Sequence, residues 1–310
     1  MAEPDTPATD FDPIPDEPAL ALRMARMLWA DKFALVAALF LLLVVVLALI
    51  GPGWMDDLAQ KQNLRGRNAP PFDFSRGWVW VLGADALGRP LLARIIVAAQ
   101  NTMLVAAGAV LASSVIGTLL GLVAGYGGRG IGAAIMRLAD VIMSFPSLLL
   151  AVVVLYMLGP SVTNLVIVLA ITRIPVYLRT TRAEVLEIRE RMFVQAAQVM
   201  GASSRRIMFR HILPVVIPTL TTIATLDFAF VMLSESALSF LGIGIQPPEI
   251  TWGLMIAQGR QYLTTAWWLS FWPGLAIILT TLSLTLLSNW LRIALDPVQR
   301  WRLEMRKGDA

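Results

Sequence analysis

The run TMLVAAGAVLASSVIGTLLGLVAGY (residues 102–126) contains no charged residue and exceeds the roughly 20 apolar residues a helix needs to cross a bilayer. Comparable uncharged runs occupy Phe33 to Ile50, Val141 to Leu158 and Ala266 to Leu291. Two more are interrupted: Gly159 to Leu178 carries Arg173, and Val215 to Leu241 carries Asp227 and Glu235. Inside hydrocarbon a single segment satisfies its own backbone only as a helix. The sequence therefore predicts an all-α membrane protein with six transmembrane helices. Composition agrees: 57% of the 310 residues are hydrophobic and 15% charged, against about a quarter charged in an ordinary soluble domain.

Lysine and arginine placement orients the spans, because short cytoplasmic loops hold these residues in excess. With both termini cytoplasmic, the inner segments hold Arg23, Arg26, Lys32, Arg129, Arg137, the arginines from Arg173 to Arg210 and the basic residues from Arg292 to Lys307. Only Lys61, Arg65, Arg67, Arg76, Arg89, Arg94 and Arg260 fall outside. The expected organisation is a cytoplasmic tail with a short interfacial helix (1–32), a first span (33–50), an external loop (51–100), a core of five spans (101–295) and a second cytoplasmic tail (296–310). Leu20, Met24, Met27 and Leu28, at helical spacing beside Arg23 and Arg26, carry the interfacial helix. Residues 1–18 are acidic and proline-rich, as in a disordered tail. They lack the basic n-region of a signal peptide, so the first span is expected to stay as an anchor.

Between the fourth and fifth spans lies a charged segment. A helical pattern from Ala183 to Met200 puts Leu186, Phe193, Ala197 and Met200 on one stripe, with Glu184, Glu187, Glu190 and Arg191 on other faces. Gly201 can take the left-handed conformation that ends a helix, and Ser203 or Ser204 can cap the next. That second short helix, Arg205 to His211, is expected to stop at Leu213-Pro214. Two short helices at an angle fit a groove on another protein, with Ala196 and Ala197 small enough to let its wall come close.

The string Gln195-Ala196-Ala197, then Gly201, then Leu213-Pro214 resembles the EAA loop of ABC importer permeases, with Gln195 in place of Glu and His211 in place of Ile. Further strings narrow the resemblance to the C-type permease subunit of dipeptide, oligopeptide and nickel importers. They are Gly83-Ala84-Asp85-Ala86-Leu87-Gly88-Arg89-Pro90, Gly125-Tyr126-Gly127-Gly128, Phe145-Pro146-Ser147, Leu238-Ser239-Phe240-Leu241-Gly242-Ile243-Gly244, Pro247-Pro248, Trp252-Gly253 and Leu295-Asp296-Pro297. Ala84 and Pro90 depart from that subunit's external signature. The resemblance covers roughly residues 20–300.

It implies a type I ABC importer permease fold, and a complex with a second homologous permease, two ATP-binding subunits and an external substrate-binding protein. In that complex residues 184–214 act as the lever, and Gln195, Ala196, Ala197, Gly201, Ala202, Arg205, Arg206, Leu213 and Pro214 meet the ATPase. ATP and magnesium are expected on the partner subunits. This chain has no Gly-Lys pair for a phosphate-cradling loop, no cysteine, and a single histidine, His211. It is thus expected to hold no cofactor, no metal and no catalytic residue of its own, and no stacking platform for nucleic acid. Peptides are the expected cargo, while nickel, glutathione, opines and sugar oligomers pass through similar permeases.

Asp227 and Glu235 stand apart, because an ionisable group inside a span costs at least ~2.5 kcal/mol and tends to mark a pathway. They are candidate translocation-path residues, and hydrogen bonding to a neighbouring helix is the alternative. Arg173 is too far from the depth of Asp227 to presume a salt bridge, if the fourth span ends at Leu178. Trp252, Trp267, Trp268 and Trp272 are expected in an outer aromatic belt. The rival to an ATP-driven permease is a secondary transporter or channel driven by ions through Asp227 and Glu235.

Overall fold

The computed structural model describes residues 20–295; the tails 1–19 and 296–310, with Asp296-Pro297, lie outside the described residues. The described chain is helical. In order come α1 (Leu20–Ala30), α2 (Lys32–Gln60), α3 (Leu91–Tyr126), α4 (Arg129–Met143), α5 (Ser147–Leu158), α6 (Val162–Ile188), α7 (Met192–Val199), α8 (Ser204–Arg206), α9 (Leu213–Phe240), α10 (Trp252–Gly259) and α11 (Trp268–Leu295). A π-helical stretch, Ile207–Ile212, joins α8 to α9 without a break.

Among the described residues five helices are long and apolar enough to cross a membrane: α2, α3, α6, the continuous Ser204–Phe240 helix and α11. The sixth expected span is a bent pair, α4 and α5, meeting at 83°. Pro146 sits at the corner: it cannot donate to the ladder, and it pushes the residue before it out of helical geometry. Large apolar side chains face outward along the bundle, among them Phe33, Leu39, Leu42 and Leu49 on α2 and Leu111 and Val115 on α3. In water such a surface would be unstable, whereas in lipid it is solvated.

The helix that carries the first expected span continues beyond Ile50. α2 runs through Gly51-Pro52-Gly53 to Gln60, because Gly51 is buried against Ile96 of α3, and the missing Cβ is what lets the two helices touch. α1, as expected, is a short helix, and its Met27 is buried with Trp290 and Ala294 of α11.

The centre of the bundle is the α3–α6 pair. Gly117, Gly121 and Gly125 recur every four residues along α3 and form a flat strip. A Cβ on Gly117 would lie 2.6 Å from Tyr177 Cβ, on Gly121 2.5 Å from Thr181 Cβ, and on Gly125 2.6 Å from a Val185 methyl. Small residues at this spacing let two helix backbones approach closely, and in a membrane dispersion contacts then drive the pairing. α2, α4, α5 and α9 pack directly against this pair, and α11 packs on α2 and α9.

The expected aromatic belt is corrected in part. Trp252 is 2% exposed and Trp268 7% exposed. Their indole N–H groups donate to Ile95 O at 2.9 Å and Ala84 O at 3.4 Å. With an internal acceptor for its one polar atom, each ring is more stable in the core than at an interface. Trp267 is half-exposed and stacks edge-on to Phe271.

Candidate functional site

The segment between α6 and α9 is held to the bundle at defined points. The expected continuous helix from Ala183 to Met200 is broken: α6 ends at Ile188, and α7 starts at Met192 after a tight turn. Glu187, Arg191, Arg189 and Glu190 form exposed ion pairs across that turn, Arg191 to Glu187 at 2.8 Å and Arg189 to Glu190 at 3.0 Å. Arg189 also donates to the Gly125 carbonyl at 3.2 Å, where α3 ends. Gln195 Nε2 donates to Glu190 O at 3.2 Å, closing the turn from above. A glutamate at this position could not donate that bond.

At its far end α7 finishes in a Schellman arrangement. Gly201 has φ +79°. Ala202 N–H reaches Ala197 O at 3.0 Å and Gly201 N–H reaches Gln198 O at 2.9 Å, the two bonds by which a glycine cap satisfies the last carbonyls. Ser203 then caps the next turn, accepting from Arg206 N–H at 3.4 Å.

From there the structure departs from expectation. The helix starting at Ser204 passes through Leu213-Pro214 into α9 as one 37-residue element. Pro214 would clash with the carbonyl four residues earlier in a regular α-helix. The wider π-helical turn directly before it changes that register. Residues 204–212 are therefore the extension of an apolar helix long enough to span a membrane, and α7 is a separate short helix packed against it.

The buried face of α7 is Val194 and Ala197, which pack with Val185, Ile188, Ile207, Ile212 and Val216. Phe193 and Met200, expected on the same stripe as Ala197, are 43% and 81% exposed. The break after Ile188 rotates α7 relative to α6, so one helical period does not run through both. Ala196 and Gln195 are exposed beside Met192 and Val199, which are 86% and 89% exposed. Gln198 Nε2 donates to the Tyr126 hydroxyl at 3.1 Å. Arg205, Arg206 and Arg210 are exposed and form no ion pair among the described residues. The segment thus presents an apolar knob flanked by unpaired cations, while Leu213 packs inward and Pro214 is exposed.

Asp227 is 3% exposed and pairs with Arg173, whose Nε lies 3.2 Å from Oδ2 and whose Nη2 contacts Oδ1. This corrects the depth argument. α6 runs to Ile188, not Leu178, so Arg173 stands about 22 Å from its inner end at 1.5 Å per residue, deep enough for its guanidinium to meet Asp227 directly. The guanidinium carbon also lies 4.4 Å over the Phe230 ring, so its positive charge meets both a carboxylate and a π face.

Glu235 is fully enclosed. It accepts from Ser239 Oγ at 2.7 Å, Thr251 Oγ1 at 2.8 Å and Ser236 Oγ at 3.4 Å. Thr251 also caps α10, accepting from Leu254 N–H at 3.1 Å. Both carboxylates lie inside the packing of this chain, and neither reaches a surface in this conformation.

Sequence reasoning missed the glycine strip and the α10 clasp. The strip was legible as three glycines four apart; the clasp joins residues 16 apart in sequence and has no local signal.

Residues 117–301 match the family model described as binding-protein-dependent transport system inner membrane component. The di/tripeptide transport system permease protein DppC of Pseudomonas aeruginosa is 41% identical over 269 residues, covering 86% of this chain and 88% of the relative. The dipeptide transport system permease protein DppC of Alkalihalophilus pseudofirmus is 35% identical over 272 residues, 88% of each. The glutathione transport system permease protein GsiD of Pectobacterium atrosepticum is 35% identical over 273 residues, covering 88% and 89%. With its helical bundle and apolar spans, this multi-pass membrane protein has the type I ABC permease fold. The chain belongs to the family of binding-protein-dependent transport system inner membrane components, the permeases of ABC importers.

Proposed function

We propose that this chain is the permease subunit of an ATP-driven importer of di- and oligopeptides in the bacterial cytoplasmic membrane, with both termini cytoplasmic. It couples ATP hydrolysis by partner subunits to alternating access. The observation that carries the reading is the α7 knob: Met192, Val199 and Met200 stand almost fully exposed on a short helix tied to α3 through Gln198, with Arg189 of the preceding turn bonded to the same end of α3. Such a surface on a rigidly held element fits an apolar groove on another protein. The flanking Arg205 and Arg206 favour an acidic rim on that partner. ATP and magnesium belong to two such ATP-binding partners. A second homologous permease completes the path, and an external binding protein delivers cargo. The peptide substrate is supported by the names of the relatives.

In this mechanism closure of the ATPases moves α7, and the continuous Ser204–Phe240 helix carries the motion into the bilayer as a rigid body. An ion-driven transporter using Asp227 and Glu235 is less well supported, since one carboxylate is paired with Arg173 and the other is enclosed by hydroxyls. The test is Gly201→Pro. Proline cannot adopt φ +79°, so α7 loses its cap. The variant is expected to insert normally but to lose ATPase association and ATP-driven peptide uptake. Unchanged uptake would sink the lever assignment.

A further inference from the structure

At the opposite end of α3 from α7, the carboxylate of Asp85 gathers four donors. Its Oδ1 accepts from Leu87 N–H at 2.9 Å and Arg89 N–H at 2.8 Å. Its Oδ2 accepts from Arg89 Nε at 2.7 Å and from the Arg94 guanidinium. Two guanidiniums therefore share one carboxylate. Asp85 is 6% exposed and Arg94 3% exposed, so the surplus positive charge is largely enclosed. Burying an ion without a matching counter-charge is costly.

Beside this cluster lies a cavity of about 390 Å³, and among the described residues Asp85 is its one acidic lining residue. Arg89, Arg94, Gln258, Gln261 and Tyr262 contribute its polar wall, with Met255 among its apolar contacts. Gln258 Oε1 accepts from Arg94 Nη2 at 3.3 Å but brings no charge. Arg94 Nε is enclosed and has no hydrogen-bond partner among the described residues. Positive charge is thus in excess beside a concave site whose volume falls in the range of small-ligand pockets.

We propose that this cavity binds the free carboxylate of a short peptide at the outer end of the permease, Arg89 and Arg94 supplying the positive charge and Gln258 and Gln261 the amide contacts. The assignment rests on the peptide-importer reading above. A carboxylate suits the site because guanidinium forks pair with it bidentately.

The experiment uses the whole transporter, this chain with its permease and ATPase partners, in lipid nanodiscs without the external binding protein. Binding of the dipeptide Ala-Ala is compared with binding of its C-terminal amide by saturation-transfer NMR. Gln258→Glu places a counter-charge beside Arg94, and Gln258→Leu removes the amide while leaving the charge. The expected result is at least tenfold weaker binding of the amide, and of Ala-Ala to Gln258→Glu, with Gln258→Leu still preferring the free acid over the amide. Equal binding of acid and amide, or no binding of either, would overturn the proposal. So would a Gln258→Glu complex that binds Ala-Ala normally but no longer captures the binding protein, which would give the cavity to a side chain of that protein. ATP-driven uptake in proteoliposomes supplied with the external binding protein separates the two readings. Wild-type uptake with no effect of Gln258→Glu on dipeptide binding removes this site alone, and absence of any ATP-driven uptake removes the importer itself.

Discussion

Gln198 on α7 donates a hydrogen bond to the hydroxyl of Tyr126, the last residue of α3, at 3.1 Å. Next to it the Gly125 carbonyl accepts from Arg189 at 3.2 Å. The short helix is thus fastened to the end of the same α3 whose glycine strip packs against α6. A displacement of α7 has two rigid routes into the bundle, one through α3 and one through the Ser204–Phe240 helix.

Gly121→Val is expected to loosen the α3–α6 pair. The added side chain would meet Thr181 Cβ and the Leu178 carbonyl, 2.5 and 2.8 Å from its Cβ, and overpacking of this kind costs roughly 1–3 kcal/mol. Gly130→Ala, where nothing lies within 4 Å, should leave stability unchanged or slightly raised. Thermal unfolding of the purified complex in mild detergent compares the two.

Asp227→Ala is expected to be far more damaging than loss of both partners. It strands Arg173 among apolar side chains, at a cost of about 3–5 kcal/mol. The double variant Arg173→Met with Asp227→Leu removes both charges and should melt closer to wild type than either single change. A double variant no better than Asp227→Ala would show that the pair is not the source of the loss.

Much of this was readable in the sequence, and the exceptions share a cause. Apolar length located the spans, two of them across interrupting charges at Arg173, Asp227 and Glu235, and Gly201 located the cap of α7 from its backbone freedom. Hydropathy could not see the corner at Pro146, because Val141 to Leu158 stays apolar across it. Polarity drew the end of α6 at Leu178, although the helix continues under its charged residues to Ile188; that misplaced end concealed the Arg173–Asp227 pair. Trp252 and Trp268 have the composition of a belt, but their carbonyl acceptors, on Ile95 and Ala84, come from distant parts of the chain.

Thr251→Val should free the start of α10. It removes one donor to Glu235 and the cap on Leu254 N–H, worth together about 1–2 kcal/mol. Faster hydrogen exchange of the amides at residues 252–256 is the expected signature, and Thr251→Ser should restore protection.

Arg205→Glu with Arg206→Glu is expected to weaken assembly with the ATP-binding subunits while leaving the fold intact, since both side chains are exposed and unpaired among the described residues. The wild-type association should weaken with added salt, and the variant should lose most of that dependence. Pull-down of the ATPases across a salt series reads both effects.

The chain contains no cysteine, so one introduced thiol reports on one position. Met200→Cys, at an 81% exposed site on the α7 knob, should cross-link to an ATP-binding subunit in the assembled transporter. Leu42→Cys, on the outward apolar face of α2, should not. A Met200→Cys thiol that stays free and unprotected in a complex importing peptide at wild-type rate would contradict the assignment of α7 as the coupling element.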